Sequence, residues 1–212
     1  MRNQVIELTG IVKTYPEVVS VKNGIEFFKM YLDVSRLSNN SDILPITFSG
    51  ASKAFDVLSS LEEQGKEIVG QIISIKGEVR TRNKKNDKRN KLEVTVLANE
   101  IVIEQENKCK NKVKVTGFIA KKLDIRDTPK GIKIVDAIIA INREDGSDYI
   151  PTVFWNNVAE DIHNEWNVGD KIELLGRMQS REYNKQIGTD EVGNPLIEVR
   201  TCYEMSVIKI FK

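Results

Sequence analysis

The sequence is poor in the residue types that build stapled or reactive sites. Its 212 residues include two cysteines, Cys109 and Cys202, and one histidine, His163. Two cysteines so far apart make neither a disulfide framework nor a zinc signature. They read as free thiols in a reducing compartment. A single histidine, among Asp161, Asn164 and Glu165, supports no histidine-based triad or metal site. Neither a Gly-x-x-x-x-Gly-Lys phosphate loop nor a Gly-x-Gly-x-x-Gly turn occurs. No apolar run reaches the length of a membrane-spanning helix. No sign of charge dominates either: 32 basic residues face 31 acidic ones. Any polyanionic partner must therefore meet local positive charge. Met1-Arg2-Asn3-Gln4 leads into a strand-like pattern without the apolar core of a secretory leader. The chain reads as cytoplasmic and non-enzymatic, with no cofactor, no metal and no membrane partner expected.

What is present is a duplication. Val5-Ile6-Glu7-Leu8-Thr9-Gly10-Ile11 resembles Val113-Lys114-Val115-Thr116-Gly117-Phe118-Ile119, and Gly24 and Gly131 each follow 14 residues after those glycines. Tyr31 to Arg36 lies opposite Ile138 to Arg143, Pro45 opposite Pro151, and Phe48 opposite Phe154. Val69-Gly70 with Gly77 answers Val168-Gly169 with Gly176 at the same spacing of seven. The pattern predicts two copies, residues 1–106 and 112–212, joined by the polar stretch Gln105 to Lys112.

Both copies share one order of elements. Strands are expected at Val5 to Val12, Ile25 to Val34 and Ile43 to Phe48 in the first copy, and at Val113 to Ile119, Ile132 to Ile141 and Tyr149 to Trp155 in the second. A helix follows, marked by Ala54, Leu58 and Leu61 or by Val158, Ile162 and Trp166 on one apolar face. A fourth strand (Ile68 to Val79; Lys171 to Gln179) and a fifth (Leu92 to Val96; Leu196 to Cys202) complete each copy. Five short strands with a helix between the third and fourth is the order of the OB-fold. The fold class expected is all-β: two tandem five-stranded OB-fold barrels.

The second copy carries, in order, Asp124-Ile125-Arg126 before Thr128-Pro129-Lys130-Gly131, Ala140 to Arg143, Tyr149 to Trp155, Val158-Ala159-Glu160, and Val168-Gly169-Asp170 to Arg181. Through these residues it resembles the bacterial and phage single-stranded DNA-binding protein (SSB) family. The first copy is more distant. Pro16-Glu17-Val18 and Gly77 to Arg82 resemble the family, but Ser49 stands where the second copy has Trp155, and no aromatic residue takes the place of Tyr149. The resemblance implies sequence-nonspecific binding of single-stranded DNA in replication, recombination or repair. It implies four OB barrels per assembly, hence a homodimer of this chain. Cellular members end in a Gly-rich segment with an acidic tip that recruits other enzymes. This chain stops at Ile210-Phe211-Lys212, so that C-terminal recruitment tail is not expected.

A single strand offers base faces for stacking and phosphates for cations. Strand alternation puts Tyr149 and Trp155 on one outward face and Phe154 in the core. Tyr183, just beyond Arg181, sits at the family's fourth-strand stacking position, whereas Trp166 reads as core. In the first copy Tyr15, Phe27 and Phe28 are possible surface rings, and of the adjacent Phe27 and Phe28 one must point outward. The basic run Arg80, Arg82, Lys84, Lys85, Lys88, Arg89 and Lys91 falls in a hairpin that embraces ligand in OB barrels. Arg126, Arg143, Arg177, Arg181 and Lys185 are the candidates of the second copy. Two other readings remain. One is a primosome-like or assembly accessory acting through protein contacts. The other is an OB module for RNA or oligosaccharide.

Overall fold

The structure is a computed structural model. It describes residues 3–211 other than Asn39, Asp87, Lys88 and Glu191, and no side chain of residues 84–91. Twelve strands and two helices follow in order: β1 (Gln4–Val12), β2 (Glu17–Lys22), β3 (Ile25–Ser35), β4 (Ser41–Ser49), α1 (Lys53–Glu63), β5 (Ile72–Asn86), β6 (Arg89–Glu104), β7 (Asn111–Lys122), β8 (Arg126–Asp127), β9 (Lys133–Arg143), β10 (Gly146–Trp155), α2 (Asn156–Glu165), β11 (Lys171–Thr189) and β12 (Pro195–Phe211).

Two closed rings result. In the first, β1 pairs with β3, β3 with β4, β4 with β6 in parallel, β6 with β5, and β5 with β1. β7, β9, β10, β12 and β11 close the second ring in the same way. These are the two five-stranded OB barrels expected from the element order. Each core follows the period-2 alternation of its strands. Met30, Leu32, Val34, Leu44, Ile46 and Phe48 are buried in the first; Val135, Ile139, Ile141, Ile150 and Phe154 are buried in the second. The helices plug the barrels with Ala54, Leu58 and Leu61 or with Ala159 and Ile162. Ser52 caps α1 by accepting from the Phe55 backbone N–H. At the other end of α2, Lys122 Nζ donates to the carbonyls of Trp166 (2.5 Å), His163 (3.0 Å) and Ile162 (3.3 Å). That places a cation where the helix leaves its last carbonyls unpaired.

The repeated glycines have one shared cause. A Cβ at Gly10 or Gly117 would run into the carbonyl oxygen of Asp33 or Ala140. At Gly77 or Gly176 it would strike that of Leu97 or Ser206, beside a register shift in the strand pair. The barrels can bend this tightly only where two backbones touch. The structure departs from the sequence expectation in three ways. The fourth strand of the first copy begins at Ile72 rather than Ile68, because residues after α1 turn through Gly65 and Gly70, both with positive φ. The fourth and fifth strands run on as long hairpins. β2 and β8 are additions outside the rings, paired only to β3 and β9.

The two barrels are joined edge to edge. β1 and β7 pair antiparallel with Ile6 opposite Val113, residues that the repeat also equates. A pseudo-twofold axis therefore passes through that pair. The six strands β6-β5-β1-β7-β11-β12 become one sheet. Two fully buried aspartates lock the joint, at equivalent positions three residues before Pro45 and Pro151. Asp42 binds Arg36 of its own barrel through Nε (2.7 Å) and Nη2 (2.6 Å), and accepts from the Ser180 backbone N–H of the other (2.8 Å). Asp148 binds Arg143 of its own barrel (2.9 Å), and accepts from Arg80 (2.9 Å) and the Thr81 backbone N–H (2.7 Å) of the other. Both carboxylates thus have partners on either side of the axis. Arg36, bound to Asp42, is held above the ordinary pKa of its type. Near the same joint, burial and the neighbouring Tyr31 push the Tyr203 phenol up to about 12.

Two outcomes follow for the joint. Asp148→Ala removes the buried partner of two guanidinium groups, each with roughly a quarter of its side chain open to water, and leaves Arg80 to Glu78 (2.5 Å) and Arg143 to Asp145 (2.6 Å). It should cost about 2–3 kcal/mol, below the range for a fully buried charge left alone, read as a drop in the denaturant midpoint. Tyr203 is protonated more tightly in the folded chain, so its contribution is intact below the ordinary value of 10.0 and is lost as pH rises through about 12. Denaturant unfolding across that window should show a smaller alkaline loss of stability in Tyr203→Phe than in the parent.

Candidate nucleic-acid interface

Residues directly opposite one another on paired strands share a face. In the second barrel, register connects Arg126 to Ile134, Ile134 to Trp155, and Val153 to Ser206 and then Arg177. Stepping by two along β10 adds Tyr149 and Pro151. Stepping by two along β11 adds Gln179, Arg181, Tyr183 and Lys185. Trp155, Tyr149, Tyr183, Arg126, Arg177, Arg181 and Lys185 therefore occupy one outer face, built by β8, β9, β10, β12 and β11.

The rings are accessible to different degrees. Tyr149 is 47% exposed and Tyr183 37%. Trp155 is half-buried at the start of α2, and its indole Nε1–H donates to Ser206 Oγ at 3.0 Å. That bond fixes one edge of the ring. Val153, on the same face, is covered. Trp166 packs against the core as expected.

The cations divide into two groups. Arg126 pairs with Asp136 (2.7 Å) and Arg181 with Glu204 (3.4 Å), both with more than half of the side chain exposed. Burial works against the charge of Arg181, but Glu204 and the more distant Asp136 outweigh it and hold its pKa above the ordinary value. Asp136 thus acts on both arginines. Lys185 is half-exposed, opposite Glu198. Arg80 and Arg143 are instead bound by Asp148 at the joint. Arg177 lies 4.0 Å from Asp42, also at the joint. Its pKa is lowered by burial and by the nearby Arg36, with Asp42 opposing.

The first barrel carries an equivalent face with different residues. Phe28 stacks on Phe48 and Phe55 at centroid distances of 5.5 and 5.1 Å, so Phe27 is the ring that points outward. β3 alternation sets Phe27, Lys29 and Tyr31 together, with Lys29 Nζ 5.3 Å from the Tyr31 ring centroid. Glu93 holds both Lys29 (3.4 Å) and the exposed Arg82 (3.1 Å). Ile43 and Ser49 stand where the second barrel has Tyr149 and Trp155. The aromatic residues of the first barrel have thus moved one strand over, from β4 to β3. Of the expected phosphate contacts Lys84, Lys85, Lys88 and Arg89, Lys88 lies outside the described residues, as do the side chains of the other three.

Sequence reasoning passed over two participants. Tyr31 was legible from the alternation Phe27, Lys29, Tyr31 against the buried Met30 and Leu32. Arg200 needed the hairpin register, which sets it opposite Tyr183. Its pKa is raised by Glu198, which accepts at 2.6 Å, and to a lesser degree by Tyr183.

Residues 110–201 match the model of the single-strand binding protein family. A Bacillus cereus protein named single-stranded DNA-binding protein is 33% identical over 85 residues, which is 37% of this chain and 50% of that protein. Streptococcus pyogenes single-stranded DNA-binding protein 1 is 33% identical over 85 residues, or 65% of its length. The chain thus spans about half to two thirds of the curated relatives it matches. Among solved structures, wild-type single-stranded DNA binding protein from Thermus aquaticus superposes with a TM-score of 0.72 at 20% identity, over 100% of this chain and 92% of that one. A deletion mutant of the same protein gives 0.69 over 94% of its chain. The Thermus likeness shows the fold, across both barrels.

Proposed function

We propose, from the premise that the second barrel belongs to the single-strand binding protein family, that this chain binds single-stranded DNA without sequence preference and without catalysis. One observation carries the reading: Tyr149, Trp155 and Tyr183 share an outer face with Arg126, Arg181 and Lys185. Rings spaced along a strand offer stacking that every base can use, worth about 1–3 kcal/mol per base. The cations add a contribution that weakens as salt rises. Asp136 and Glu204 keep the arginines oriented, and on binding the arginines exchange these carboxylates for phosphate. The chain-long service is DNA coating in replication, recombination or repair, in the cytoplasm. Phe27, Tyr31 and Arg82 extend the track over the first barrel, with residues 1–106 and 112–212 as the two binding units. Arg80, Arg143 and Arg177 are assigned to the joint rather than to DNA.

The assembly proposed is a homodimer with four barrels. The six-stranded sheet across the axis leaves Val102 (57%) and Phe118 (40%) exposed on its outer side. A second copy there would cover apolar surface that the chain itself leaves open. A purely protein-binding accessory role has less support, because nothing in it requires rings and cations to alternate over both barrels.

Two measurements test this reading. Titration with an oligo-dT should quench tryptophan fluorescence, with affinity falling steeply between low and moderate salt. Trp155→Ala and Tyr183→Ala should each weaken binding by about tenfold, while Trp166→Phe leaves it unchanged. Equal affinity for duplex, or indifference to both alanine variants, overturns it. Light scattering after size exclusion should give twice the monomer mass, falling to the monomer mass in Phe118→Lys.

A further inference from the structure

The first barrel has a second surface that the duplication does not explain. β2 is the terminal strand of the sheet, so among the described residues one row of its backbone groups has no strand partner. Its counterpart in the second barrel, β8, is two residues long, whereas β2 spans six. β2 is also unusually apolar for an exposed edge. Val18 is 50%, Val19 45% and Val21 62% exposed, and Tyr15 just before it is 49% exposed.

Two cavities of about 410 and 290 Å³ adjoin this strand. They flank Phe28 and Phe55, which line both, between the β2–β3 hairpin and α1. The first is lined by Val21, Ile25 and Gly50, the second by Tyr15, Phe48 and Leu58. Register places Val18 opposite Phe28 and Val21 opposite Glu26. The valines therefore share the Phe28 side of the hairpin and turn away from Phe27 and the proposed DNA face. The charged residues lining the cavities are Glu26 in one and Glu62 in the other. Glu67, which accepts from the Tyr15 hydroxyl, adds a third carboxylate at the rim. Carboxylates around an apolar cleft repel phosphate and attract ammonium or guanidinium groups.

We propose that this edge and cleft dock an extended segment of a partner protein. The segment adds a strand to β2 through its backbone, and every second side chain faces the cleft. On that side, aliphatic or aromatic anchors fill the cavities and flanking Lys or Arg residues meet Glu26 and Glu62. Nothing in this docking uses the outer face, so partner and DNA bind together. The inference stands independently of the DNA reading.

The test uses the full chain and fluorescein-labelled nine-residue peptides with Thr at every even position and Lys, Val, Phe, Val and Lys at the odd ones, the same peptide with Glu for Lys, and a Lys peptide with Pro at position 6. Fluorescence anisotropy should show the Lys peptide binding about tenfold tighter than the Glu and Pro peptides. Saturating oligo-dT should not displace it. Val21→Lys should weaken the Lys peptide about tenfold without changing affinity for oligo-dT, and Glu26→Lys with Glu62→Lys should reverse the preference toward the Glu peptide. Equal binding of Lys and Glu peptides, or none by either, overturns the proposal. So does displacement by oligo-dT, which would make the cleft part of the nucleic-acid track. Loss of self-association in Val21→Lys would also overturn it, by giving the edge to a second copy.

Discussion

Everything in this molecule hangs on the antiparallel contact of β1 with β7. That pairing fuses two closed barrels into one sheet and sets Ile6 against Val113 at the pseudo-axis. Backbone pairing alone would leave the barrels free to hinge about the shared strands. The two aspartates remove that freedom. Each is anchored by an arginine in its own barrel and accepts a backbone N–H from the other. A buried carboxylate has a steep cost when its partners move away, so the joint has one favoured angle. The outer faces of both barrels inherit their relative placement from it.

On this frame the two halves have diverged in a physically coherent way. The second barrel keeps its rings on β10 and β11, with arginines beside them. The first has no aromatic residue at the outward β4 positions Ile43 and Ser49 and carries Phe27 and Tyr31 on β3. Its hairpin, free of rings at the β10-equivalent positions, has acquired the valine-rich edge of β2 and the acidic cleft behind it. One half thus presents rings and arginines on one outer face, and the other divides its surface between a shifted aromatic row and a cleft lined by carboxylates.

Much of this was legible before any coordinates. The repeat fixed the number of barrels, because its glycines mark places where two backbones touch and no side chain fits. Alternation separated Phe154 from Trp155 and Tyr149 correctly, since one side of a barrel wall is always core. What could not be read was anything created by contact across the axis. Arg80 and Arg143 look like surface cations in a linear sequence, yet they converge on Asp148 from different barrels. A different limit hid β2, whose valines read as a turn region because a lone edge strand of six residues has no buried face to give it a period. Arg200 escaped because its meaning depends on hairpin register, which a bulge between Gln186 and Gly188 resets.

The internal axis has a consequence for any linear polymer laid across the chain. A pair of identical barrels related by true twofold symmetry looks the same from either end, so a strand running in one direction or the other meets equal surroundings. Here each unit offers Phe27 and Tyr31 at one end and Trp155 and Tyr183 at the other, in a ratio that covalent linkage cannot scramble. On the function proposed, the track within one chain has a head and a tail, and a polymer with chemical polarity meets them in a defined order.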